Sequence, residues 1–132
     1  MDIFNSRNTE YKEKVRAIAC NERVKLRLVL PRSMSCSGAF LCVHKENEQE
    51  VCYSMFWAGM CGDDKEYWEL HFSADTPGLY WYHFKLQTPW GNSFVRNVGH
   101  GVGDFAPDGN EFQQTVYDSD FTTPEWLKGG LI

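Results

Sequence analysis

Leu79-Tyr80-Trp81-Tyr82-His83-Phe84-Lys85-Leu86 decides the fold. Tyr80, Tyr82, Phe84 and Leu86 occupy one parity of this stretch, while Trp81, His83 and Lys85 occupy the other. Successive side chains of a strand point to opposite faces, so the pattern predicts a strand with one buried face. Aromatic residues suit such a pleated, half-buried surface. Thr76-Pro77-Gly78 precedes it and Thr88-Pro89-Trp90-Gly91-Asn92 follows it. Both are turn sequences, because Pro presets φ and Gly accepts positive φ. The second turn returns the chain through Ser93-Phe94-Val95-Arg96, which gives a central hairpin onto whose aromatic face the other strands should pack.

Outward from the hairpin, Val24-Lys25-Leu26-Arg27-Leu28-Val29-Leu30 reads as a strand with its odd-parity charges outside, ended by Pro31, which removes a ladder donor. Ala39-Phe40-Leu41-Cys42-Val43 is apolar on both faces and belongs in the centre of a sheet. One strand is expected over residues 51–57 and another over Tyr67-Trp68-Glu69-Leu70-His71-Phe72, with Trp68, Leu70 and Phe72 inward. Ile3-Phe4-Asn5-Ser6 and Val15-Arg16-Ala17-Ile18-Ala19 are short candidates, Gln113-Gln114-Thr115-Val116-Tyr117 is the last strand, and residues 97–110, with four glycines, read as a loop. No segment before Thr123 holds a helical period. Many short strands separated by turns predict an all-β, immunoglobulin-like antiparallel β-sandwich.

The 132 residues suffice for one domain that buries roughly two thirds of its unfolded surface. A net charge of −5 argues against nucleic acid, which requires clustered Lys and Arg. No apolar run is long enough to cross a bilayer. Cys20, Cys36, Cys42, Cys52 and Cys61 fit no zinc spacing and read as small apolar residues in or near strands. An odd cysteine count and a polar start point to reduced thiols and a cytoplasmic protein, although a secreted parent with its leader removed reads the same way. His44, His71 and His100 have no partner pattern and are expected in surface or turn positions. Asp104, Asp108, Asn110 and Glu111 offer oxygens but not the spacing of a calcium loop, and Gly99-His100-Gly101-Val102-Gly103-Asp104 lacks the strand-then-helix setting of a phosphate loop. No metal site is therefore expected.

At Tyr67-Trp68-Glu69, at Gly78-Leu79-Tyr80-Trp81-Tyr82-His83-Phe84, and above all at Pro124-Glu125-Trp126-Leu127-Lys128-Gly129-Gly130-Leu131-Ile132, the chain resembles a known module. It is similar to the N-terminal domain of neopullulanase-type and cyclomaltodextrinase-type enzymes of glycoside hydrolase family thirteen, the alpha-amylase family, grouped as carbohydrate-binding module family thirty-four. The resemblance implies a sandwich over residues 1–117 and a linker over 118–132 that leads into a catalytic barrel outside this chain. Such a barrel takes roughly 250 residues, and its retaining chemistry needs two carboxyl groups about 5 Å apart. Neither catalytic motif is present, so no catalytic residue is assigned and hydrolysis belongs to the parent enzyme. No cofactor is implied, though calcium is compatible with the parent.

Given that resemblance, Trp81 and His83 become candidates for carbohydrate contact: on a solvated outer face an indole stacks on a glucose ring. The alternative is that another sheet, a partner subunit or the barrel covers that face. Trp90, in a turn, and Trp57, at a strand end, complete the candidate set, each set against burial over the hairpin edge or in the rim. One stack plus hydrogen bonds of about 1 kcal/mol each reaches only millimolar affinity. Two roles follow from the resemblance. The module either contributes to dimerisation and shapes the partner's active-site cleft, or binds an alpha-glucan oligosaccharide through its aromatics.

Overall fold

Alternation in the sequence becomes alternating burial in the computed structural model, which describes residues 2–118. The expected linker and the closing segment 124–132 lie outside the described residues, apart from Asp118. Eleven strands form among the described residues: β1 (Phe4–Asn5), β2 (Ile18–Ala19), β3 (Val24–Pro31), β4 (Gly38–Lys45), β5 (Val51–Ser54), β6 (Phe56–Cys61), β7 (Lys65–Phe72), β8 (Gly78–Thr88), β9 (Gly91–Gly99), β10 (Val102–Phe105) and β11 (Phe112–Tyr117). A single 3₁₀ turn, Arg32–Met34, is the helical element among them. The predicted all-β sandwich is what forms.

β8, the strand that carries the deciding stretch, is the hub of the larger sheet. One edge takes β4, from Gly38↔Gln87 to Lys45↔Tyr80. The other edge is divided between β11, from Phe112↔Tyr82 to Val116↔Gly78, and β9, from Phe84↔Val95 to Thr88↔Gly91. β5 extends this sheet beyond β4, β10 and β1 extend it beyond β9, and β2 beyond β11. The smaller sheet is β3-β7-β6. Pairing is antiparallel except between β2 and β11, where Ile18 and Val116 meet in parallel register.

The core lies between the two sheets. Val24, Leu26, Leu28 and Leu30 of β3 face Tyr82, Phe84 and Leu86 of β8, all of them buried. Phe4 is fully buried, with its ring centroid 4.8 Å from Phe84 and 4.9 Å from Phe112. Two residues thus pin β1 to the core, since edge-to-face aromatic pairs add about 0.5–1.5 kcal/mol each beyond burial. Leu70 and Tyr80, assigned inward by parity, are half-buried.

Two expectations are corrected. The single strand expected over residues 51–57 divides at Met55: β5 pairs with β4 in the larger sheet and β6 pairs with β7 in the smaller. Met55 is buried and its N–H donates to the Ala39 carbonyl, so one residue carries the chain across the core. Residues 97–110 are not all loop. β9 and β10 form a hairpin through Gly99-His100-Gly101, and Phe4 pairs with Gly103. The glycine there is required by packing, because a Cβ on Gly103 meets Phe4 and Val95 at 3.0 Å and Phe112 at 3.1 Å.

Candidate functional site

Trp81 and His83 lie on the outer face of the larger sheet, as their parity predicts, but neither is open to solvent. Trp81 is half-buried between His44 and Gln113 of the flanking strands. His83 is 5% exposed, and its Nδ1 lies 2.8 Å from Glu111 Oε2. The other oxygen of Glu111 is 2.7 Å from His44 Nε2. This corrects the surface or turn placement of His44, a β4 residue with a carboxylate partner. The Glu111 hydrogen bond is the leading cause that raises the His44 pKa. Glu111 itself is held below the usual carboxylate range by both imidazoles, against the opposing effect of its burial. His71 is exposed and His100 occupies the β9–β10 turn at φ 54°, as expected.

Trp90 is 77% exposed at the tip of the β8–β9 turn, where Thr88 Oγ1 accepts from its N–H at 3.2 Å, so it does not fold back over the hairpin. Trp57 is 53% exposed, against the expectation of rim burial. The four candidates do not converge. Trp81 and His83 occupy the outer face of one sheet, Trp90 its terminal turn, and Trp57 the other sheet.

Two other features dominate the surface instead. The first is an unfinished rim. Residues directly opposite one another in antiparallel strands share a face. Val51 faces Val43, Tyr53 faces Leu41, Trp57 faces Trp68 and Met60 faces Glu66, and all four partners are buried on the inner side of their sheets. Yet Val51, Tyr53, Trp57 and Met60, on edge strands β5 and β6, are 40–53% exposed. These side chains point to the inner faces and the opposite sheet does not cover them. The break at Ala58-Gly59, with Gly59 at φ 110°, shifts the β6 register between Trp57 and Met60 and keeps both on that side.

The second is an open groove of about 420 Å³ at the β5 end of this rim. Tyr53, Phe72 and Tyr80 supply its aromatic walls, and Asn21, Lys45 and Asp75 its polar groups. The Tyr80 hydroxyl donates to the Thr76 carbonyl at 2.7 Å, and Lys45 Nζ stands 5.7 Å from the Tyr80 ring centroid. None of the four tryptophan and histidine candidates lines it. Tyr53 is not among the residues that the sequence singles out. The missing signal was that β5 sits at an edge beyond the reach of the smaller sheet.

No family model matches the chain. Curated relatives do. An amylopullulanase of Thermoanaerobacter thermohydrosulfuricus is 37% identical over 84 residues, which are 59% of this chain and 6% of the relative. This chain is similar to a segment of an amylopullulanase. Another amylopullulanase, from Thermoanaerobacterium saccharolyticum, is 34% identical over 71 residues, 51% of this chain and 6% of its own. A solved cyclomaltodextrinase superposes with a TM-score of 0.59 at 14% identity, over 94% of this chain and 20% of that one. It supports the sandwich fold. The chain therefore spans only a small part of the amylopullulanases it matches, and these sequence relatives agree with the resemblance to modules of alpha-glucan enzymes. Among the described residues no helix is long and apolar enough to cross a membrane.

Proposed function

We propose that the chain is a non-catalytic module of a larger alpha-glucan hydrolase, of the carbohydrate-binding module family thirty-four type, and that its β5–β6 rim docks against the catalytic barrel of the same polypeptide. The observation that carries this reading is the row Val51, Tyr53, Trp57 and Met60, apolar, directed to the inner faces and left 40–53% exposed. Contiguous exposed apolar surface marks an interaction site. The occupant follows from proportion: the amylopullulanase relatives are more than ten times longer than the matched segment, so a large neighbour in the same chain is at hand. On this reading residues 1–117 are the module and 118–132 the connection. A second subunit is the other occupant the family allows, with the module narrowing the partner's cleft.

Hydrogen exchange tests the docking. Amides of β5 and β6 should exchange more slowly in the complete polypeptide than in this chain alone, and Tyr53→Ser with Trp57→Ser should abolish the difference. Equal exchange in both overturns it. Comparing the oligomeric state of the complete polypeptide with and without residues 1–117 separates barrel from subunit.

A second reading, binding of an alpha-glucan oligosaccharide, is favoured by one observation: the groove joins exposed Tyr53 and half-buried Tyr80 to Asn21, Lys45 and Asp75. Aromatic faces beside a few polar groups suit a sugar. Titration with maltoheptaose, followed by tryptophan fluorescence and NMR, should respond at millimolar sugar and lose the response in Tyr53→Ala. Loss instead in Trp81→Ala or Trp90→Ala moves the site to those residues, and no response removes it.

A further inference from the structure

The outer face of the larger sheet carries a constellation that neither reading uses. Cys52 of β5 stands directly opposite Cys42 of β4, and Cys42 directly opposite His83 of β8. One row across three adjacent strands therefore holds two thiols and an imidazole, with Glu50 two residues before Cys52 on the same side. Cys42 Sγ and Cys52 Sγ are 2.7 Å apart. Cys52 Sγ lies 4.0 Å from Glu50 Oε2, and His83 Nδ1 lies 3.7 Å from Glu50 Oε1. The ligand atoms of Cys42, Glu50 and His83 all fall within 4.8 Å of one another.

These separations can be set against what a metal requires. Zinc holds sulfur at about 2.3 Å and nitrogen or oxygen at about 2.0–2.2 Å in a tetrahedron, which puts ligand atoms about 3.3–3.8 Å apart. The observed distances bracket that span. Cys42 and His83 are buried, and Cys42 is paired on both sides, with Cys52 and with His83, whereas Cys52 on the edge strand and Glu50 just before it are exposed. The sulfur pair, closer than that span, has to widen by rotation of the exposed Cys52 side chain.

We propose that Cys42, Cys52, His83 and Glu50 form a binding site for a single divalent zinc-type metal ion. Two thiolates select a borderline or soft d-block ion over calcium or magnesium, which take oxygen ligands. Binding releases the two thiol protons, and the imidazole proton on Nδ1 moves to Nε2, leaving the Nδ1 lone pair for the metal. Glu111, now 2.8 Å from Nδ1, gives up that hydrogen bond and keeps His44 as its partner. The linear spacing of the cysteines hides this site, because a turn and a step of ten positions separate two thiols that strand pairing sets side by side.

The test uses the reduced, metal-free chain. Zinc(II) should bind at one equivalent in competition with a chromophoric chelator. Cobalt(II) should give near-ultraviolet thiolate charge transfer together with the intense visible bands of a tetrahedral ion. Cys52→Ser, at an exposed position, should lower the thiolate band by about half, and Glu50→Gln should change the visible bands. His83→Gln should abolish saturable uptake, while Cys36→Ser, outside the row, leaves every reading unchanged. Absence of a thiolate band overturns the proposal, as does a band indifferent to Cys52→Ser. So does a reduced chain that takes up no zinc and, given a small-molecule disulfide, only loses two hydrogens to link Cys42 with Cys52.

Discussion

The Tyr82 hydroxyl is sealed inside the sandwich without a hydrogen-bond partner, and burial drives its ionisation far above the usual phenol range. An unpaired buried hydroxyl costs about 1–3 kcal/mol, whereas its ring, 5.3 Å from that of Phe112, stabilises the core. Tyr82→Phe should therefore leave the unfolding free energy unchanged or raise it by about 1 kcal/mol in urea titration; a clear loss contradicts the assignment. Lys12 is 4% exposed, its ammonium donating to the Lys14 carbonyl at 2.6 Å. Burial, aided by Arg16, lowers its pKa to about 8 from 10.5. Because the folded value is the lower one, the unfolded chain binds more protons between those limits, and stability rises with pH across them. Relative to Lys12→Met, the wild type should gain up to about 3 kcal/mol from pH 8 to 10.5 by chemical denaturation. A flat difference denies the shift. Parity in the sequence was enough to place Tyr82 inside. Nothing local marks Lys12 as buried, since its cover comes from residues distant in the chain.

Elements differ in how far their own residues define them. β3, β4, β7 and β8 are legible because each alternates or is apolar over a sustained run, so that a one-residue slip would turn its core face to water. β10 was hidden by its glycines, the same residues that mark loops. In this strand Gly103 is needed because Phe4, Val95 and Phe112 occupy the space of a side chain. Gly103→Ala should cost about 1–3 kcal/mol by overpacking, read as a lower thermal midpoint; an unchanged midpoint means that β1 moves aside freely. The division at Met55 was equally hidden, since periodicity reports which side is apolar and not which sheet a strand joins. The Cys52-Cys42-His83 row and the Glu111 bridge depend on register between strands, which a linear reading does not contain.

The whole molecule is a sandwich whose smaller sheet is too narrow for its larger one, and the exposed rim is the direct result. A chain ending at Asp118 retains the eleven described strands and should unfold cooperatively at the same midpoint as residues 1–132, within about 2 °C; a lower midpoint would give the remaining residues a part in the fold. Overall class was readable because turns and alternation recur along the entire chain, whereas the rim was not, because sheet width is set by which edges pair. The parallel seam of Ile18 with Val116 has a consequence for synthesis. Ile18 is fully buried in the finished protein, yet the strand that pairs beside it is the last of the described strands to be made. Until that strand is made this apolar residue has no shelter, so the nascent module passes through a vulnerable interval that ends only when two segments remote in sequence find each other.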